Sequence, residues 1–114
     1  MRARRLSPEA TALYTHVAAR DLERARVVVV RALTPGVVAM TLDRWILMRR
    51  GHELDADLLA HELVHVEQWR ELGPVRFLSR YLGEYLRARL EGKRHWQAYA
   101  AISFEAEARA RSGS

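Results

Sequence analysis

Cysteine is absent from this chain, so a disulfide framework is excluded and any bound metal must be held by nitrogen and oxygen ligands. Lysine is nearly absent, because Lys93 is the only one, and the net charge of +5 comes from arginine. The longest apolar runs, at 27–30 and 37–40, are far too short to span a bilayer. No apolar signal segment follows the basic start. We therefore expect cytoplasmic localisation and no membrane partner.

The 114 residues suffice for one domain with a modest core. We expect a single domain over 1–114, with loose tails at 1–6 and 110–114. The arginines are scattered among acidic residues and form no long block. This pattern is typical of a solvated surface, so we expect no nucleic-acid partner.

Capping and turn residues in the first half predict a helix followed by a small sheet. Ser7, Pro8 and Glu9 are typical of a helix start, and this N-terminal helix should run to about Arg24. Apolar and β-branched runs predict a three-stranded sheet, with strands at 26–31, 37–42 and 45–48.

Three helices are predicted in the second half, which makes the fold class α+β. Asp55 or Asp57 should cap a helix that ends at Gly73 and Pro74. Pro74 can open a backing helix that is broken near Gly92. A last helix should begin near Trp96 and include positions 102–108.

The central helix carries a motif with specific chemistry. His61 and His65 are four residues apart, and residues at this spacing lie on the same side of a helix. Two such imidazoles can hold one zinc ion, and the pattern HExxH places Glu62 to take a proton from zinc-bound water. Zn²⁺ is therefore the predicted cofactor, with Glu62 as the catalytic general base.

A third ligand is needed, because catalytic zinc usually has three protein ligands and one water. Glu84, Glu105 and Glu107 compete for this role, and the small alanines beside Glu105 favour it, because they let its helix approach closely. Glu107 is rotated by about 200° from Glu105, so only one of the two can face the metal. His95 is better interpreted as an exposed histidine.

Beyond HExxH, the chain resembles the minigluzincins, very small members of the gluzincin group of zinc metallopeptidases. The resemblance extends from about Val27 onward, and its most specific part is the run HELVHVEQW at 61–69. Later residues that carry it are Leu72, Gly73, Pro74, Phe77, Tyr81, Leu82, Tyr99 and the segment 104–108. At 102–103 the chain has Ile-Ser where the family has Asn-Pro.

The resemblance implies a minimal zincin-like core: an N-terminal helix, the small sheet, the active-site helix, the backing helix and a C-terminal glutamate helix. It implies that His61, His65 and Glu105 bind zinc and that Glu62 acts in hydrolysis of a peptide or protein substrate. It also implies latency, either by self-inhibition or through a homodimer that blocks the cleft. The alternative function is a non-catalytic, zinc-stabilised module that binds peptides or associates with itself.

Overall fold

The structure, a computed structural model, describes residues 3–113. It is an α+β fold, as predicted at this coarse level, with helices packed on a four-stranded mixed sheet. In chain order its elements are β1 (Ala3–Arg5), α1 (Pro8–Leu13), α2 (Ala19–Arg24), β2 (Arg26–Val30), β3 (Ala39–Leu42), β4 (Trp45–Arg49), α3 (Ala56–Leu72), α4 (Pro74–Leu90), α5 (His95–Ala101) and α6 (Ser103–Ser112). In the described residues no helix is both long and apolar enough to cross a membrane.

The sheet has the order β1-β2-β4-β3 and contains one strand more than predicted. The additional strand, β1, pairs antiparallel with β2, and Ala3 lies opposite Val28. Its three residues are exposed and include two arginines, so no apolar alternation marks them as a strand. The segment expected to be a loose tail at 1–6 is thus ordered from Ala3 onward, and positions 1 and 2 lie outside the described residues.

The register of the sheet decides which strand residues face the helices. β2 runs parallel to β4, and β3 runs antiparallel to it. Successive side chains of a strand point to opposite faces, and Ile46 and Met48 are fully buried in the core together with residues of α3. Thr41 pairs with Ile46 across β3 and β4, so it also faces α3. Leu42 and Trp45 lie on the opposite face and are exposed.

The predicted N-terminal helix is two helices, which is a correction to the sequence-based expectation. α1 begins as predicted, with the Ser7 side chain accepting a hydrogen bond from the amide of Ala10, but it ends at Leu13. Beyond it, the His16 ring donates from Nε2 to the carbonyl of Ala60 at 2.8 Å, and Val17 is buried in the core. These contacts with the rest of the domain break the helix, and the local sequence does not reveal them.

α3 begins and ends as predicted. The Asp55 side chain accepts a hydrogen bond from the amide of Leu58 and caps the helix. Gly73 ends it with a φ of +80°, a conformation that favours glycine, and Pro74 opens α4. The middle of α3 is buried on most of its circumference, with Leu63, Val64 and Val66 fully inaccessible.

An aromatic cluster fixes α4 and α6 against the end of α3. Phe77 stacks between Trp69 and Phe104, with ring centroids 4.3 and 4.7 Å away. Ile102 is fully buried in the same cluster. Offset aromatic stacking of this kind stabilises by about 0.5–1.5 kcal/mol per pair beyond the burial of area. The cluster therefore sets the position of α6 relative to the HExxH helix.

The predicted last helix is also two helices, α5 and α6, with a break at Ile102. Ile102 has an extended conformation, with φ −63° and ψ 128°. The carboxylate of Glu84 on α4 accepts hydrogen bonds from the Ser103 amide at 2.7 Å and from the Ser103 hydroxyl at 2.8 Å. A side chain from another helix thus caps the start of α6.

The C-terminal segment is more ordered than predicted. α6 continues to Ser112, and Gly113 caps it in the left-handed conformation. Arg111 forms an ion pair with Glu67 of α3 and donates to the carbonyl of His16. The tail expected at 110–114 is therefore helical and bound to the domain up to Ser112, and Ser114 lies outside the described residues.

Candidate metal centre

Two histidines of α3 form one side of a polar cluster. His61 and His65 follow each other by one helical turn, and their ring centroids are 5.1 Å apart. The side chain of His61 is 14% exposed and that of His65 only 6% exposed. The spacing in the sequence therefore does bring both rings to the same side of α3.

Glu105 completes this cluster from α6. Its Oε1 lies 3.0 Å from Nε2 of His61 and 3.1 Å from Nε2 of His65. The three side chains form a group whose ligand atoms all lie within 4.8 Å of one another. Atoms bound tetrahedrally to one zinc ion at about 2.0–2.1 Å would be about 3.3 Å apart. The two nitrogen–oxygen distances are close to that spacing, and the donor set is one that could hold a metal ion.

The other candidate ligands have different partners. Glu84 caps α6, and the Oε1 of Glu107 accepts a hydrogen bond from Nε2 of Gln68 at 3.0 Å. The Nδ1 of His95 lies 2.8 Å from the Tyr85 hydroxyl on the exposed side of α5. Among the three acids weighed from the sequence, Glu105 is the one that lies against both histidines.

The second oxygen of Glu105 is held by a tyrosine. The Tyr81 hydroxyl donates to Oε2 of Glu105 at 2.8 Å. Burial raises the pKa of Glu105, but hydrogen bonds from His61, His65 and Tyr81 outweigh burial and hold the pKa far below its usual range. Burial, and then the charge of Glu105, raise the pKa of Tyr81. Glu105 is therefore a carboxylate and Tyr81 a neutral donor.

Glu62 lies beside this cluster and is buried, with 5% of its surface exposed. The Thr41 hydroxyl lies 2.9 Å from Oε1 of Glu62 and 3.2 Å from its carbonyl oxygen, and can donate its one proton to either. Burial raises the pKa of Glu62, and the opposing effects of His65, Thr41 and His61 do not cancel it. A buried carboxylate with a raised pKa suits a general base near neutral pH.

Gln68 connects His65 to α6. Its Oε1 lies 2.7 Å from Nδ1 of His65. Its Nε2 donates to the carbonyl of Phe104 at 3.1 Å and to Glu107. The pKa of His65 is lowered by burial, but the hydrogen bond to Glu105 and the charges of Glu105 and Glu62 outweigh burial and raise it.

A cleft of about 710 Å³ opens in front of the cluster. One wall is the segment 34–42, which includes the edge strand β3, and the floor includes His61, Glu62 and His65. Aromatic side chains also line the cleft, namely Phe77, Tyr81, Trp96 and Tyr99, and the Trp96 ring lies against Gly36. Trp69 also lines the cleft and is 5% exposed, so it is both a core residue and part of the pocket.

Comparison with known families adds one match. The family described as the eCIS core domain, where eCIS stands for extracellular contractile injection system, matches residues 5–73, more than half of the chain. The chain belongs to the eCIS core domain family. Nothing matches it among curated proteins, and nothing matches it among solved structures.

The eCIS core domain match divides the candidate site. It covers the strands β2, β3 and β4 and all of α3, and thus His61, Glu62 and His65, and it ends at the glycine that terminates α3. Glu105 and Tyr81 lie beyond it. In this member of the eCIS core domain family, the third group of the cluster is therefore contributed from outside the matched region.

Three contacts in the site were not predicted from the sequence, those of Gln68, Thr41 and Tyr81. Gln68 is three residues after His65 on the same helix, and this spacing predicts a side-chain contact that could have been found. Thr41 gave no such signal, because its contact with Glu62 depends on how β3 packs on α3.

Proposed function

We propose that this eCIS core domain protein is a zinc-dependent peptidase with a minimal zincin-like core. His61 and His65 would hold the ion through Nε2, and Glu105 through Oε1. A bound zinc ion supplies Lewis acidity, which favours ionisation of water and polarises a carbonyl group. The other steps follow from the positions of the chain's own residues.

The convergence of Glu105 on both histidines carries the proposal. The Glu105 carboxylate comes 40 residues after His65 in the chain, yet its Oε1 lies within 3.1 Å of Nε2 of both histidines. Two imidazoles and one carboxylate, beside an open cleft, are the ligand set of a known class of catalytic zinc sites. A purely structural zinc site would be expected to have four protein ligands.

Glu62 is the proton carrier in this proposal. Its carboxylate takes a proton from the attacking water and delivers it to the nitrogen of the departing amine. Burial raises its pKa, so it binds the proton more readily than an exposed glutamate would. Thr41 holds one oxygen of Glu62 and so limits the directions in which the carboxylate can point.

The edge strand β3 is the proposed binding surface for the substrate. It lies at the end of the sheet and lines the cleft, so an extended peptide can pair with its free edge. Such a peptide would pass over His61 and Glu62 on the cleft floor. The aromatic residues that line the cleft would contact its side chains.

The test combines metal analysis with turnover. The metal-free chain is loaded with zinc, and bound metal is measured by mass spectrometry after dialysis, before incubation with a diverse peptide pool. We expect one zinc ion per chain and chelator-sensitive cleavage. Glu62→Gln should keep the zinc and lose cleavage, whereas Glu71→Gln, an exposed glutamate on the same helix, should keep both. Absence of zinc in the loaded wild type would overturn the proposal.

A non-catalytic module is the second candidate function. The eCIS core domain match covers only two of the three proposed ligands, and the family description names an injection system and not an enzyme. A zinc ion would then stabilise a domain that binds a peptide or a second copy of itself. One bound zinc per chain with no cleavage of any peptide in the pool would favour this function.

A further inference from the structure

Gln68 lies where the two parts of the candidate site meet. It is buried, with 5% of its surface exposed, and lies on α3 inside the eCIS core domain match. Its side chain reaches α6, outside that match, through Phe104 and Glu107. Gln68 thus contacts the proposed ligand His65 directly, and it contacts Phe104, the residue that precedes the proposed ligand Glu105.

The orientation of the Gln68 amide follows from its partners. The Phe104 carbonyl and the Glu107 carboxylate are both acceptors, so the group facing them must be the NH₂ of Gln68. The group facing His65 is therefore the Gln68 oxygen, which can only accept. It follows that Nδ1 of His65 carries a proton and donates it at 2.7 Å.

The protonation of Nδ1 determines which nitrogen of His65 can bind a metal. In a neutral imidazole with a proton on Nδ1, the free lone pair is on Nε2. Nε2 is the atom that lies 3.1 Å from the Glu105 carboxylate, to which it donates, and a metal bound at the centre of the cluster would take the place of the Nε2 proton. Without Gln68, the Glu105 carboxylate would favour the opposite tautomer, with the proton on Nε2.

We infer that Gln68 is a positioning residue, which fixes the His65 tautomer and ties the Glu105 helix to α3. The inference rests on the proposed zinc site but goes beyond its ligand set. Hydrogen-bond partners of metal ligands typically contribute about 10- to 100-fold to metal affinity. Gln68 acts on two ligands, on His65 through Nδ1 and on Glu105 through the Phe104 carbonyl, which belongs to the preceding residue.

The test compares Gln68→Met, which has a similar length but neither donor nor strong acceptor, with Gln97→Met. Gln97 is exposed on α5 and accepts a hydrogen bond from the Arg94 amide, so it is a matched glutamine outside the site. Zinc affinity is measured by competition with a chelator. We expect Gln68→Met to bind zinc about 10- to 100-fold more weakly. Gln97→Met should match the wild type.

A spectroscopic measurement separates positioning from general damage to the fold. Nitrogen-15 NMR of the metal-free proteins at about pH 8 reports which ring nitrogen carries a proton. In the wild type Nδ1 of His65 should be protonated, and in Gln68→Met it should be unprotonated. Gln68→Glu keeps an acceptor for Nδ1 and should restore its protonation, although it loses the donor to Phe104.

The outcomes distinguish this inference from the proposed function. If the wild type binds no zinc, the proposed function fails, and the NMR comparison still tests the effect of Gln68 on His65. If the wild type binds zinc and Gln68→Met binds it within about twofold with Nδ1 still protonated, the positioning role is wrong. If Gln68→Met does not fold, zinc affinity and the protonation of Nδ1 of His65 are measured on Gln68→Glu instead. The positioning role then predicts that Nδ1 is protonated and that zinc affinity is reduced about tenfold.

Discussion

The hydroxyl of Tyr81 donates to Oε2 of Glu105 at 2.8 Å, and Oε1 of the same carboxylate lies against both histidines. The two oxygens of Glu105 thus have different partners. Oε2 is occupied by the tyrosine, so Oε1 is the atom left to face the centre of the cluster. Tyr81 comes from α4, a helix with no proposed ligand.

Tyr81→Phe removes this hydrogen bond and keeps the stacked ring. Without this donor Glu105 is held less firmly, and we expect zinc affinity to fall about tenfold. Chelator competition measures the change. Tyr85→Phe is the control, because its hydroxyl lies near His95 and not near Glu105. Equal affinity in Tyr81→Phe and wild type would show that Glu105 is held by other contacts.

Thr41→Val should separate catalysis from metal binding. Valine keeps the shape of the side chain and removes the hydroxyl group that lies 2.9 Å from Oε1 of Glu62. We expect turnover to fall about tenfold, which corresponds to about 1.4 kcal/mol, with unchanged zinc content. Thr11→Val, at a half-buried position in α1 outside the site, is the matched control. If the zinc content also fell, the conclusion that Thr41 acts only on Glu62 would be wrong.

Zinc should stabilise the fold, because its proposed ligands come from α3 and α6. At a free concentration about 100 times the dissociation constant, binding adds about 2.7 kcal/mol. For a domain of this size Tm should rise by about 10 °C. Glu105→Gln should lose most of this rise in a thermal scan, and Glu71→Gln should retain it. An equal rise in Glu105→Gln would place the zinc elsewhere.

Glu84→Gln tests the cap on α6. Burial raises the pKa of Glu84, but hydrogen bonds from Ser103 and Arg80 outweigh it and lower the pKa. Because the folded pKa is lowered, the stabilisation is present above the unfolded-state value of about 4.3 and is lost as the pH falls through the folded pKa.

We therefore expect Glu84→Gln to lower the free energy of unfolding by about 1 kcal/mol at neutral pH. The difference from wild type should shrink below about pH 4. Urea denaturation at neutral pH and below about pH 4 measures this difference. Glu23→Gln, at an exposed position, is the control. A difference that does not depend on pH would mean that the charge of Glu84 contributes nothing.

The features predicted correctly from the sequence are those that depend on interactions between residues close together in the chain. The Asp55 cap, the Gly73 terminator and the HExxH spacing are effects within one or two helical turns, and the structure has each of them. β1, the break after Leu13 and the break at Ile102 depend on residues far along the chain. The Glu84 carboxylate, for example, acts on Ser103 from another helix, and no pattern of propensity reveals such a partner.

The candidate site shows the same division. Resemblance and the alanines around Glu105 pointed to this residue among three glutamates, and it is the one that lies against the histidines. Thr41 and Tyr81 required the packing of β3 and α4 on α3. Their roles could not be predicted, because threonine and tyrosine are common at core edges without any contact to a site.

The separation of His65 from Glu105 by 40 residues has a consequence for the unfolded chain. A cation bound by both side chains would cross-link these two positions. Closing a loop of this length costs an unfolded polypeptide considerable entropy. A polypeptide without cysteine has no covalent means of doing this. The ion would be a removable cross-link, so that chelation loosens the last two helices before it affects the sheet.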